Sequence, residues 1–344
     1  MSSYSELLQD VEWGYNRDHE PLPQINLCML TGVTSRLPIY QALYSGSLKD
    51  VSTLTTTLAK MDAIADGRPV LAVMDKGFFS TRNLNAMPRH TPTIPFLIAV
   101  PFTTGFATRM VASERKDINR LQHTLVLGED SLRAVTKERA WNAQHSLYTH
   151  VYYHALKAVT RREELYAQVT ELKERAEADP ASAKADATAQ KYLIVRKSAH
   201  TSSGYTVNIR EEVVAKELNT AGWLVIVSTQ ITDAKAALTI YRNKDIVEKG
   251  FLRLKVNLNL GRLRVHSDDR MQNKVFIGFI ALILLSHLHN VMLDQNLYKQ
   301  ITLKKLLLTL AKLRVQHIHG HRILFPSTKE QKAIYKAFGV KEPM

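Results

Sequence analysis

The sequence predicts a mixed α/β fold on three observations: an unbroken apolar run that stops at a carboxylate, two strand-like runs ahead of it, and an amphipathic helical stretch in between. Residues 25–30 and 39–44 are short apolar or alternating runs separated by Thr31-Gly32 and Pro38, the pattern of consecutive strands joined by a turn. From Lys49-Asp50, the residues Val51, Leu54, Leu58, Met61 and Ile64 recur at three- and four-residue steps, which predicts a helix ending at Asp66-Gly67. Pro69-Val70-Leu71-Ala72-Val73-Met74-Asp75 then reads as a buried central strand that delivers Asp75 to its C-terminal end. Open α/β sheets gather their chemistry at such ends.

The later elements follow by the same reasoning. Gly77 permits a sharp turn, Ser80 or Thr81 is placed to cap a short helix, and residues 94–100 read as another buried strand. From about 101 to 219 the texture changes to alternating strands such as 148–156, a polar helix over 161–178 and an Ala-rich connector over 179–190. This predicts an inserted, mainly β subdomain with a helical excursion. Core texture resumes at 223–227, and Thr232 and Asp233 offer a cap for a long helix to about 258, stopped by Asn259 and Gly261. A buried helix over 272–292 and a basic amphipathic one over 303–315 complete the chain. The expected organisation is a core in two parts, 1–100 and 223–344, around an insert over 101–222.

Composition narrows the function classes. In 344 residues, 46 Lys and Arg face 32 Asp and Glu, a net charge of +14, with 45% apolar content and a pI near 9.7. Such a balance favours a polyanionic partner, nucleic acid ahead of an anionic membrane. The single cysteine, Cys28, excludes an internal disulfide and a cysteine-based zinc site. Residues 2–10 show no secretory pattern, and the apolar run 275–285 is too short to span a bilayer, so a cytoplasmic protein is expected. The mixed charges of 161–178 read as a solvated helix face, and His287 and His289, two apart on a helix, do not share a face as a metal pair would.

The chemistry concentrates in Tyr241-Arg242-Asn243-Lys244-Asp245-Ile246-Val247-Glu248, followed by Lys255. On one continuous helix, Tyr241, Lys244, Glu248 and Lys255 fall inside an arc of roughly 60°. Ile240, Val247, Phe251, Leu254 and Leu258 form the adjoining apolar face that docks the helix. Two readings of Glu248 stand side by side: an intrahelical ion pair with a neighbouring lysine, worth a few tenths of a kcal/mol, or a metal ligand acting with Asp75 while Tyr241, Lys244 and Lys255 grip phosphates.

These residues resemble the DDE transposases of bacterial insertion sequences, in the branch of the IS-four type marked by a Tyr-(2)-Arg-(3)-Glu-(6)-Lys motif. Tyr241, Glu248 and Lys255 match it, while Lys244 stands at the arginine position with Arg242 close by, which keeps charge but loses the bidentate fork. Met74-Asp75-Lys76-Gly77-Phe78-Phe79-Ser80 is similar to the family's strand-end Asp motif, and Val265-His266 and the 275–282 helix to its continuation. The resemblance implies a ribonuclease-H-like mixed sheet flanked by helices, with an inserted mainly-β subdomain. It further implies Asp75 and Glu248 as catalytic metal ligands, with Tyr241, Arg242, Lys244 and Lys255 binding DNA. Two Mg²⁺ ions are implied, Mn²⁺ able to substitute, with double-stranded DNA as partner (terminal repeats and target) and a homodimer in a synaptic complex at the nucleoid. Such cores take a first Asp from a strand ahead of the runs at Ile25 and Ile39. Here Met1-Ser2-Ser3-Tyr4-Ser5 is similar to the sequence just after that element, and Asp10 and Asp18 lack a preceding strand. Two expectations follow: a transposase performing DNA cleavage and strand transfer, or a truncated, inactive derivative that binds element ends or pairs with full-length transposase.

Overall fold

The computed structural model describes all residues except 6, 15–21, 49–51, 55, 59, 61–69, 88–93, 143–144, 199–203, 319–320 and 344. The predicted helix boundaries at Lys49-Asp50 and Asp66-Gly67, and Asp18, lie outside the described residues; helical turns are present at 52–54 and 56–58, with Leu54 and Leu58 buried. In chain order the elements are β1 (Ile25–Thr31), β2 (Pro38–Ser45), β3 (Ala72–Met74), α1 (Thr81–Ala86), β4 (Phe96–Ala99), α2 (Gly105–Glu114), β5 (Thr124–Leu127), β6 (Asp130–Ala140), β7 (Ser146–Tyr153) and α3 (Ala155–Ala178). There follow α4 (Pro180–Ala183), α5 (Ala187–Tyr192), β8 (Leu193–Lys197), β9 (Tyr205–Ile209), α6 (Glu211–Leu218), β10 (Trp223–Ser228), α7 (Ala234–Arg242) and α8 (Asp245–Leu252). A π-helical turn (Arg253–Asn257), α9 (Asp268–Asp294), α10 (Leu303–Leu310), β11 (Val315–Ile318), β12 (His321–Leu324) and α11 (Lys329–Ala337) end the chain. The fold is mixed α/β, a mixed sheet flanked by helices, compatible with a ribonuclease-H-like fold.

The chain divides into two compact units, one of residues 50–242 and one of residues 1–49 with 243–344. The first unit is built on a six-stranded sheet in the order β3-β4-β10-β7-β6-β5, in which only β3 and β4 run parallel. Its strands β4 and β10 are apolar without alternation because both faces are covered. Phe96, Ile98, Val225 and Val227 meet α1 and α2 through Leu84, Ala107 and Val111, while Leu97, Ala99 and Ile226 meet Ala237, Leu238 and Tyr241 of α7. Each buried aliphatic side chain contributes roughly 1.5–3 kcal/mol. Asp75 follows directly on β3, as expected, but among the described residues β3 lies at the end of the sheet rather than at its centre. The segment expected as an insert supplies β5, β6 and β7 to this same sheet.

The helical excursion leaves after β7 and returns before β10, two strands that pair directly from Trp223 and Tyr153 onward. At that junction Gly222 adopts φ +77, and a Cβ there would stand 2.6 Å from the His154 carbonyl oxygen, so glycine is required. The excursion has its own small core of Leu165, Val169, Leu172, Tyr192, Leu193 and Val214. The polar helix begins at Ala155 rather than 161, and the Ala-rich connector folds as α4 and α5, capped by Asp179 and Asp186.

In the other unit β1 and β2 form an antiparallel hairpin, as the two runs predict. α8 packs on β1 through Val247 and Phe251 against Met29 and Leu27. Gly250 permits this approach: a Cβ there would stand 2.9 Å from the Met29 methyl carbon. The helix predicted over 272–292 is α9, of 27 residues, and by length and composition alone it is long enough to cross a membrane. One face packs in this unit through Met271, Val275, Phe279 and Leu282, whereas Phe276, Ile277, Ile280 and Leu284 are exposed, so it is not buried all round. The helix predicted to 315 stops at Leu310, because Val315 begins the β11–β12 hairpin.

Candidate active site

Asp75 ends the buried strand with extended backbone (φ −76, ψ 163) and opens a 3₁₀ turn over Lys76–Phe78. The turn is tied down twice: the Phe78 amide donates to the Asp75 carbonyl at 3.1 Å, and the Asn83 side-chain amide donates to the Phe78 carbonyl at 2.8 Å. Ser80 caps α1 by accepting from the Asn83 amide at 3.0 Å, the capping role expected of Ser80 or Thr81. The carboxylate therefore leaves a short strand whose neighbours hold it in place.

Tyr241 reaches the same carboxylate from the last turn of α7. Asp233 starts that helix by accepting from the Ala236 amide at 2.8 Å, as its sequence position predicts. Ala237, Leu238 and Tyr241 then lie at three- and four-residue spacing on the face packed against the sheet. The Tyr241 ring is 8% exposed, and its hydroxyl donates to Asp75 Oδ1 at 2.9 Å. Hydrogen bonds to charged groups contribute about 1.5–3 kcal/mol, and a buried phenol without a partner is costly, so this bond fixes both side chains.

The single long helix predicted from 232 to 258 is not formed. The chain turns at Asn243 and Lys244, and α8 starts anew at Asp245. The turn is also where the two units divide. Tyr241 and Arg242 thus belong to one unit and Lys244, Glu248 and Lys255 to the other, and the shared arc does not exist as one helix face. The apolar prediction divides likewise: Val247, Phe251, Leu254 and Leu258 pack together as expected, while Ile240 packs with the sheet.

Within α8, Glu248 lies in the first turn, where the helix dipole favours a carboxylate, and pairs with Lys244 Nζ at 3.2 Å. The two side chains are 51% and 24% exposed, so water screens the pair and it contributes only a few tenths of a kcal/mol. Lys255 falls in the π-helical turn, which ends at Asn257, and Asn259 just beyond takes φ +53, at the predicted stop. Arg242 is engaged by Asp130 Oδ2 at 2.7 Å. The Arg242 guanidinium and then His154 hold the Asp130 carboxyl below its usual range. Asp130 and His154 carried no sequence signal, because only the register of β6 against β7 brings them to the end of α7.

Among the described residues no three His, Cys, Asp or Glu side chains form a ready-made metal cluster. Asp75 and Glu248 each carry carboxylate oxygens, the donors that hard divalent cations take, and Mg²⁺ is commonly held by one or two carboxylates completed by substrate phosphates. The donor chemistry fits such an ion. Asp10, weighed as a further acid, is exposed.

The family described as Transposase DDE domain matches residues 3–284. No curated protein and no solved structure matches the chain.

Proposed function

The chain belongs to the DDE transposase family, and on that premise we propose that it carries out DNA cleavage and strand transfer in the transposition of a bacterial insertion sequence of the IS-four type, with Asp75 and Glu248 as metal ligands. The family acts on DNA in transposition and generally works with divalent metal ions. The observation that carries the residue assignment is the Tyr241 hydroxyl on Asp75 at 2.9 Å. It joins the strand-end acid to the first residue of the Tyr-(2)-Arg-(3)-Glu-(6)-Lys motif, two positions 166 residues apart in sequence.

Asp75 and Glu248 would hold two Mg²⁺ or Mn²⁺ ions, whose chemistry there would be charge neutralisation at the reacting phosphate. The chain's own residues do the positioning. Tyr241 holds the Asp75 carboxylate in one orientation, so little reorganisation is needed when the ligand set is completed. Lys244 and Lys255 would provide point charges for backbone phosphates, and Lys244 could pair with a phosphate in place of Glu248, the carboxylate that would hold the metal. Arg242 reaches DNA by exchanging Asp130 for a phosphate, or holds the end of α7 beside β6 when it does not. The substrate is double-stranded DNA, element ends and target, with two copies of the chain pairing the ends, in the cytoplasm at the nucleoid. The partition into a core of 1–100 and 223–344 and an insert of 101–222 belongs to the same reading.

The test is nicking of an end-containing duplex with Mg²⁺ or Mn²⁺. Wild-type protein nicks and Glu248→Gln does not; equal metal-dependent nicking by both would remove Glu248 from the assignment. Steeply salt-dependent DNA binding with no metal-dependent cleavage by the wild type would leave a DNA-binding protein in place of an enzyme.

A further inference from the structure

In the sheet-bearing unit a cleft of about 540 Å³ opens between α2 and the end of β6, lined by Phe106, Arg109, Met110, Arg139, Ala140 and Trp141. We propose that this cleft binds one nucleotide of a DNA strand, with the base against the Trp141 and Phe106 rings and the phosphate between Arg109 and Arg139. The inference rests on DNA as the substrate and is independent of which residues hold metal.

The rings are fixed in advance. Trp141 meets Phe106 edge to face, with centroids 5.7 Å apart at 69°, and its indole N–H donates to Asn85 Oδ1 at 2.7 Å. Since that polar atom is satisfied inside the protein, what Trp141 offers a ligand is ring surface, which suits any base regardless of sequence. The charge is arranged as deliberately. Lys137 and Arg139 alternate on one face of β6, and Trp141 follows directly on the strand's end. The buried Glu114 carboxylate (3% exposed) accepts from Lys137 Nζ at 2.7 Å and from Arg139 Nη2 at 2.9 Å. One negative charge against two positive ones orients Arg139 without cancelling the local field. Arg109 is exposed and has no carboxylate partner among the described residues, so it is available to an anion at once. Guanidinium groups beside flat aromatic walls match a phosphate joined to a base; an acidic peptide has no use for the rings, and a lipid headgroup has none for their rigid edge-to-face geometry.

The same β6 face continues the pattern. Arg133 lies further along the strand opposite Tyr153, Tyr153 stacks on Trp223 at 4.7 Å, and the Arg115 guanidinium lies 5.2 Å from the Trp223 ring centre.

Fluorescence anisotropy of the full chain with labelled single-stranded and fully paired oligonucleotides, in EDTA so that no cleavage intervenes, tests the proposal. Arg109→Ala is expected to weaken single-strand binding roughly fivefold and to reduce the salt slope by about one phosphate contact. Trp141→Ala is expected to weaken it by about tenfold, with much of the loss recovered in Trp141→Phe. Arg196→Ala, on the exposed part of β8, leaves binding unchanged. Unaltered affinity and salt slope in both Arg109→Ala and Trp141→Ala, with wild-type DNA binding intact, would overturn the cleft alone. Failure of the wild type to bind either oligonucleotide would overturn the functional reading as well. Efficient displacement of the strand by a free nucleoside monophosphate at equal phosphate concentration would make a free nucleotide the ligand and overturn the strand assignment.

Discussion

Asp75 and Glu248, the two carboxylates proposed as metal ligands, have surroundings that differ in kind. Asp75 follows a strand buried on both faces and receives a hydrogen bond from a phenol that is itself part of the core. Glu248 stands half exposed on an eight-residue helix, held by one lysine through a screened ion pair. The first is fixed by the fold before any ligand arrives, whereas the second is free to exchange partners at little cost. If both acids hold one ion, as proposed, its affinity should rise once substrate is present, because DNA phosphates can take Lys244 over from Glu248.

The largest expected effect tests whether both acids matter despite this difference. Asp75→Asn and Glu248→Gln should each lower metal-dependent nicking by roughly two orders of magnitude or more, measured with an end-containing duplex, while thermal melting shows the fold retained. A large loss for only one of them would break the comparison in favour of that acid.

The rigidity of the unit that holds Asp75 depends on pH through a different residue. His150 on β7 is fully buried, and loss of hydration lowers its pKa to about 4 from an ordinary 6.5. Because the folded value lies below the unfolded one, the stabilisation is present above pH 6.5 and is lost as pH falls through about 4. The loss is on the order of 3 kcal/mol across that window. Melting curves should show it, and His150→Leu should flatten the slope. An unchanged slope in that variant would assign the acid sensitivity elsewhere.

Tyr241→Phe sharpens the comparison further. The ring keeps its place in the core and the bond to Asp75 goes, so stability should fall by about 1.5–3 kcal/mol and nicking by roughly tenfold. The smallest effect belongs to the other acid. Lys244→Met should change stability by no more than about 0.5 kcal/mol, read from denaturant midpoints, while weakening DNA binding. A larger stability loss would mean that Glu248 is as firmly fixed as Asp75.

The same contrast explains what was legible in the sequence. The run ending at Asp75, the apolar strand at 94–100, the hairpin runs and the Ser80 and Asp233 caps all appear in the structure, because each is a local pattern enforced by burial or by unsatisfied backbone amides. The break at Asn243-Lys244 was not legible. Residues 234–258 keep helical periodicity throughout, and the interruption arises because Ile240 packs with one core and Val247 with another. Arg242 on Asp130 was equally hidden, since that contact depends on β6 register. The edge position of β3 was missed because an apolar run reports burial of both faces but carries no information about a strand's neighbours.

Whether Asp75 and Glu248 serve one metal centre, as proposed, is decided by calorimetric titration of Mn²⁺. The titration would compare the wild type, Asp75→Asn, Glu248→Gln and the double variant, each bound to end DNA. The account predicts that either single change removes most of the affinity and that the double change removes no more. Independent, additive losses, or Mn²⁺ affinity that ignores both substitutions, would contradict it.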